Sequence, residues 1–209
     1  MPFIGNKPSA VPLTSADIAD SIITSAKIVD GTIVNADINA SAAIVSTKLS
    51  GTGKVLQVVS TAKTDTFSAT INSGVETAIT GLSASITPSS ASNKILIMVT
   101  LFVGGAGNVG ATFLLKRAST DILVGDAAGS RKRSTFSTGK NIAGYEDTLS
   151  ASFTGLDSPS TTSSTTYSVS LFNSRGSSDS FYINRGSSDT DNSVQQRTAS
   201  TITLLEIAG

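Results

Sequence analysis

Between Ile18 and Leu49 the aliphatic positions recur about every five residues: Ile18, Ile23, Ile28, Ile33, Ile38, Ile44 and Leu49. Each closes a small-x-aliphatic unit, as in Ala16-Asp17-Ile18, Ala26-Lys27-Ile28 and Gly31-Thr32-Ile33. Neither an α-helix nor a strand has this period. One aliphatic per five residues cannot close a core inside a single chain. Several chains wound together can close one, each sending its Ile to a common axis. Residues 15–50 are therefore expected to form an intertwined trimeric shaft with those seven residues on its axis. A pentapeptide-repeat solenoid needs about four units per coil and several stacked coils, and seven units fall short. Short helices starting at Ser15-Ala16-Asp17 are the other alternative. The β-branched residues and Asp30-Gly31 argue against long ones.

After Ser50-Gly51-Thr52-Gly53, a flexible joint at 51–53, the pattern changes to alternation and short apolar runs. It predicts strands at 55–60, 66–71, 76–80, 82–87, 94–103, 111–117, 121–125, 149–154, 166–172, 180–183 and 200–207. Turn residues separate them, among them Asn72-Ser73-Gly74, Pro88-Ser89-Ser90 and Arg175-Gly176-Ser177. Strands at this spacing without helical stretches predict an all-β fold, with a jelly-roll-like β-sandwich over 54–209. Ile95-Leu96-Ile97-Met98-Val99 is apolar on both faces, so one face can fill the core and the other a subunit interface. Arg175-Gly176-Ser177-Ser178-Asp179 recurs ten residues later as Arg185-Gly186-Ser187-Ser188-Asp189. One strand between two such turns would hold them apart.

The first 14 residues carry Pro2, Pro8 and Pro12 and read as an extended arm without a core. Met1-Pro2-Phe3-Ile4-Gly5 has no basic region and opens no long apolar run, so it does not read as a signal peptide. Composition then removes function classes. The 209 residues contain no Cys, His or Trp, which excludes disulfides, thiolate sites and the Ser-His-Asp triad. Fifteen basic residues balance fifteen acidic ones, so there is no electrostatic case for nucleic acid or an anionic membrane. The longest apolar run, 95–103, is too short to span a bilayer as a helix. Ser and Thr make up roughly 30% of the chain, well above ordinary usage.

Arm, repeat and domain together resemble tail-fibre-type virion proteins of bacteriophages, especially those of marine and cyanobacterial phages. The resemblance rests on Pro-Leu-Thr-Ser-Ala-Asp-Ile (12–18), Ile-Thr-Ser-Ala-Lys-Ile (23–28) and Asp-Gly-Thr-Ile (30–33) in the first part. In the second it rests on Lys-Val-Leu-Gln-Val-Val (54–59), Ile-Thr-Pro-Ser-Ser (86–90), Gly-Asp-Ala-Ala-Gly-Ser-Arg (125–131), Tyr-Ile-Asn-Arg (182–185), Asp-Thr-Asp-Asn (189–192) and Ser-Thr-Ile-Thr-Leu-Leu-Glu-Ile (200–207). It implies a homotrimeric fibre on the particle surface, made in the host cytoplasm. Its arm, residues 1–14, would dock on a tail, baseplate or capsid protein, and its distal domain would face the host; the receptor, with a host-surface glycan among the candidates, does not carry over. It implies no catalytic residue and no cofactor. The alternative is a capsid-decorating, cementing or baseplate part that binds no receptor.

Candidate contacts follow from charge and loop chemistry. Arg131-Lys132-Arg133 is the one dense basic run and suits phosphates or acidic sugars. Gly104–Gly110, with Asn108, reads as a pliable exposed loop. Asp179, Asp189, Asp191 and Asn192 supply hard oxygen ligands, but the calcium-loop pattern is not met and they read as polar turns. No metal site is expected. Segment 125–130 lacks the Lys-Ser/Thr ending of a phosphate loop and reads as a turn. Glu146 and Asp147 are adjacent, so on a strand they point to opposite faces and cannot flank one glycosidic bond. No enzyme is expected.

Overall fold

The computed structural model describes residues 14, 18–39, 41–42, 54–105, 110–138 and 148–209. The chain divides into two compact units, 1–50 and 51–209. The arm apart from Thr14, the axis positions Ile44 and Leu49, and the joint 51–53 lie outside the described residues.

In the first unit the five-residue sequence period becomes a ten-residue conformational one. Turns close through Ile22 N–H to Ala19 O (3.3 Å), Thr32 N–H to Val29 O (3.0 Å) and Ala42 N–H to Asn39 O (2.8 Å). Between them lie single 3₁₀ turns at Ser25–Lys27 and Asn35–Asp37. These close through Lys27 N–H to Thr24 O and Asp37 N–H to Val34 O, both 2.9 Å. Ser21 and Gly31 hold the same turn position with φ of 67° and 80°, the left-handed region that Gly tolerates best. The Asp37 carboxylate accepts from Val34 N–H at 2.9 Å. The Lys27 ammonium donates to Ile22 O at 2.6 Å. Among the described residues of this stretch the backbone bonds are thus all local, and nothing in them brings apolar side chains together. Ile18, Ile23, Ile28, Ile33 and Ile38 remain 38–55% exposed, and Ile22, Val29 and Val34 are exposed beside them.

The second unit is a β-sandwich. Its strands are β1 (Val55–Lys63), β2 (Phe67–Ile71), β3 (Glu76–Ile86), β4 (Lys94–Gly105), β5 (Thr112–Arg117) and β6 (Thr120–Ile122). They continue with β7 (Phe136–Ser137), β8 (Leu149–Asp157), β9 (Thr165–Phe172), β10 (Asp179–Ile183) and β11 (Ser200–Ile207). One sheet runs β1-β11-β4-β10-β2, with β8 on β4; the other runs β3-β9-β5-β6, with β7 on β5. All pairings are antiparallel. β11 and β10 lie along the same side of β4, at residues 94–100 and 103–105. They are two halves of one strand position, as β1 and β2 are of the next. Alternation sends Ile95, Ile97, Val99, Leu101 and Val103 of β4 inward against Phe113, Leu115, Tyr167, Val169 and Leu171 of the other sheet, all buried.

Both split strands break at one level, and Asn184 closes the break. The residue is fully buried with φ of 64°, a conformation Asn tolerates better than most. Its amide donates to Lys63 O (2.7 Å) and Asp65 O (2.9 Å). Its Oδ1 accepts from Ser200 Oγ (2.6 Å), which in turn accepts from Phe102 N–H (3.1 Å). Its own N–H reaches Phe102 O at 2.9 Å, and its carbonyl accepts from Thr198 N–H at 3.1 Å. Asn173, also buried, closes the end of β2 in a similar way, donating to Ile71 O (2.7 Å) and Ser177 O (2.9 Å).

Three corrections to the sequence reading have physical causes. The strands expected at 76–80 and 82–87 are one strand, β3, with a register shift between Ala78 and Ser83. Gly81, at φ of 82°, forms the irregularity, and its missing Cβ leaves room for the buried Lys63, whose Nζ lies 3.4 Å from where that Cβ would stand. The strand expected at 121–125 stops at Ile122 because Leu123 turns into the left-handed region. Gly104 and Gly105 are not loop: they are buried in β4, and a Cβ on Gly104 would collide with Arg185 O.

Replacing Asn184 by Ala leaves two backbone carbonyls and the Ser200 hydroxyl without their partner. Each such group costs about 1–3 kcal/mol, so the full-length variant is expected to lose about 3 kcal/mol or more in denaturant unfolding. Asn184→Gly, which keeps the backbone freedom, should lose nearly as much. A near-normal Gly variant would show that backbone strain, not the amide, governs the position.

Glu206 provides a pH handle. Its Oε1 accepts from Ser89 N–H (2.6 Å), Ser89 Oγ (2.7 Å) and Asn93 Nδ2 (2.6 Å), tying the end of β11 to the β3–β4 connection. Burial alone would raise its pKa, but the three donors outweigh burial and hold it below the ordinary 4.5. A lowered folded value means stability that is present above pH 4.5 and lost as pH falls through that lower value. Glu206→Gln is expected to flatten this acid limb and to lower stability near neutrality by about 1–3 kcal/mol. An unchanged acid limb in thermal melts would sink the assignment.

Candidate functional site

The outer face of the β3-β9-β5 sheet carries the basic run. On β5, Phe113 and Leu115 face the core, so Thr112, Leu114 and Lys116 face outward. Leu114 is nonetheless fully buried and stands outside the core cluster. The connection between β6 and β7 covers this face and carries Arg131, Lys132 and Arg133. It is tied down by Gly125 N–H to Ser134 O (3.1 Å) and by Thr135 Oγ1, which accepts from Leu115 N–H (3.0 Å) and donates to Ile122 O (3.1 Å). Arg131 N–H closes a turn on Ala128 O at 3.2 Å, and Gly129 takes the left-handed conformation there. Of the expected turn over 125–130, the structure forms a turn at 128–131.

The three cations do different things. Lys132 Nζ sits 4.9 Å from the centroid of Phe172 at the end of β9 and 3.8 Å from an Asp121 oxygen. Arg133 Nε donates to Gly125 O at 2.6 Å. Arg131 is exposed. Asp121 also holds Lys116 at 2.6 Å, and Lys116 reaches Glu76 at 2.8 Å. Burial pulls the Lys116 ammonium down, but these two carboxylates outweigh it and raise its pKa.

Two adjoining open depressions of about 490 and 440 Å³ share Ser130, Arg131 and Lys132 in their walls. The first adds Asp121, Arg133 and Phe172. The second adds the hydroxyls of Thr112, Ser134, Ser137 and Ser174. One carboxylate against three cations gives the first a positive bias, and the second offers alcohol donors and acceptors. An anionic, hydroxyl-bearing ligand fits that combination, and Arg131, exposed in the walls of both depressions, carries the group that can bind an anion in bidentate fashion.

The other candidates separate from this site. Asn108, Glu146 and Asp147 lie outside the described residues. Asp189 is taken by Arg197 (2.5 Å) and Arg185 (3.7 Å), and Asp179 by Arg175 (3.2 Å), so guanidinium groups occupy two of the three carboxylates that sequence offered as metal ligands, Asp191 being the third. The two Arg-Gly-Ser-Ser-Asp segments each close on themselves in this way, with β10 between them. Among the described residues no cluster of three or more Asp or Glu could hold a metal ion. Phe172, Asp121 and Lys116 were missed as site residues. Period-two alternation does place Thr112 and Lys116 on one face, but only the pairing of Thr112 with Phe172 brings the ring beside the loop.

Compared with known proteins, the chain matches no family model, and no curated protein matches it. No helix among the described residues is long and apolar enough to cross a membrane.

Proposed function

We propose that the protein is a subunit of a bacteriophage fibre, a homotrimer attached through residues 1–14 whose distal domain adheres to a host surface. The observation that carries this reading is the first unit. Its described Ile and Val residues are exposed along a regular ten-residue conformational repeat, with local backbone bonds and, among the described residues, no buried apolar side chain. Burying each such side chain stabilises by about 1.5–3 kcal/mol, and parallel copies of the same repeat supply matching apolar side chains at every step. In this reading Ile18, Ile23, Ile28, Ile33 and Ile38 face the common axis.

The sandwich is read as a jelly roll. Counting each split or paired short strand as one position gives four positions per sheet. The chain crosses between the sheets in the order expected of two Greek keys, an architecture common in viral and lectin domains. The depression around Arg131 is the adhesive site, suited to a phosphate-bearing or acidic glycan. Three weak sites on one fibre can gain about 10²–10⁴ in avidity. The capsid-decorating or baseplate reading draws on one observation: Lys132 and Arg133 are both engaged within the chain, as a solvated structural loop would be.

Ile28→Asp would set three carboxylates together on the axis. The wild-type chain is expected to scatter light as a trimer at micromolar concentration and the variant as a smaller species. A monomeric wild type defeats the shaft. The triple change Arg131→Ala, Lys132→Ala, Arg133→Ala should leave the trimer intact and abolish adsorption of particles to host cells. Wild-type adsorption across a salt series would give the structural reading first place.

A further inference from the structure

The outer face of the β1-β11-β4-β8 sheet carries an apolar row in cross-strand register. Val58 pairs with Leu205, Leu205 with Leu96, and Leu96 with Leu156. Their neighbours Val59, Leu204, Ile95 and Ile97 face the core, so all four point away from it. The next row is Ser60, Thr203, Met98 and Thr154, and the third is Ala62, Thr201, Thr100 and Ser152. None of these twelve residues is charged. Of the eight large hydrophobic residues that stand exposed in the described part of the domain, Val55, Leu56, Val58, Met98 and Leu156 belong to this face or its lower edge. Such concentration marks a contact surface rather than scatter.

We infer that this face meets the same face of the other two copies of the chain within the fibre. Size and position both point to a copy. Four strands about 4.8 Å apart and three rows about 6.7 Å apart make roughly 400 Å², about half of what each partner contributes to a contact that stands alone. The face is therefore too small to join free molecules and suited to molecules already tethered. Its lower edge begins at Val55, five residues after the repeat ends at Ser50. A tether that short gives an effective concentration in the millimolar range. The uncharged rows let two identical faces approach without like-charge repulsion. The inference rests on the trimeric reading of the repeat.

The chain has no Cys, so single thiols can be placed at will. Met98→Cys in the full-length chain is treated with a short bis-maleimide, with Val194→Cys, an exposed apolar position off this face, as control. Light scattering is measured in parallel. The expected result is a trimer in both, with Met98→Cys joining copies at least about tenfold faster, and Val58→Cys behaving likewise. Adding Val58→Glu to Met98→Cys should bring its rate down to the control without changing the mass. A trimer in which all thiols cross-link equally slowly overturns the contact and leaves the fibre assembly standing. A monomer overturns both. Shielding of the Met98 thiol by phosphatidylcholine vesicles, without cross-linking, would assign the face to lipid and overturn the inference.

Discussion

Backbone donors and acceptors left open at a break in a buried sheet must be closed by something other than the ladder. In this sandwich that requirement falls on Asn184. Two adjacent strand positions are interrupted at the same level: one by 64–66, the other by the excursion 184–199. Without a partner, Lys63 O, Asp65 O and Phe102 N–H would be left unsatisfied. One short amide side chain in the left-handed conformation reaches the two carbonyls directly and the N–H through Ser200. Every group of the Asn184 amide is used, so no isosteric replacement keeps the set. Asp would lack the two donors, and Leu would lack all of them.

The same economy governs the other buried polar groups. Asp157 at the end of β8 accepts from Arg117 of β5 at 2.9 Å and from the hydroxyl of Tyr167 of β9 at 2.7 Å, joining the two sheets at one edge. Burial, with that carboxylate beside it, pushes the Tyr167 phenol above its ordinary pKa and keeps it the donor. Near the next edge, Phe136 of β7 stacks between Phe113 of β5 and Phe153 of β8, with centroids 4.9 and 5.8 Å away. Glu206 fixes the turn that feeds β4. Polar residues are thus buried where elements must be held in register, and aliphatics fill the space between them. A domain held this way can vary its outer loops without disturbing its core.

Much of this was legible in sequence. Alternation and turn residues located β11 at Ser200–Ile207 and the start of β4 at Lys94, because both strands bury every second residue. Two signals misled. Gly81 reads as punctuation between strands, yet it is a bulge inside β3 and a seat for Lys63. Gly104 reads as loop, yet it is the point where β4 passes under Arg185. In each case the glycine answers a contact distant in sequence, which local chemistry cannot reveal. β7 escaped notice since two residues carry no period. The site was half legible. A run of three basic residues is visible in any reading, but its seat on Phe172, 40 residues from Lys132, arises from the pairing of β5 with β9.

The repeat shows how a sequence period can differ from a conformational one. Five-residue units alternate between two turn types, so two units make one repeat of backbone. Positions 21 and 31 need the left-handed conformation, which the Gly at 31 meets readily and Ser21 meets at some cost. Positions 27 and 37 end the 3₁₀ turns, where Lys27 and Asp37 each bond nearby backbone from opposite sides of the charge balance. The backbone bonds of the described repeat are local, and its Ile and Val side chains face water along with the polar ones. A segment whose hydrogen bonds are local and whose apolar residues are exposed has an unmet requirement, removal of hydrocarbon from water. That requirement sets no fixed length. Units can be added or removed two at a time while the described backbone repeat is kept, whereas the six-residue step between Ile38 and Ile44 departs from the sequence period. The step falls within the last two units before 51–53, after which the hydrophobic pattern changes to the period of two on which the sandwich is built.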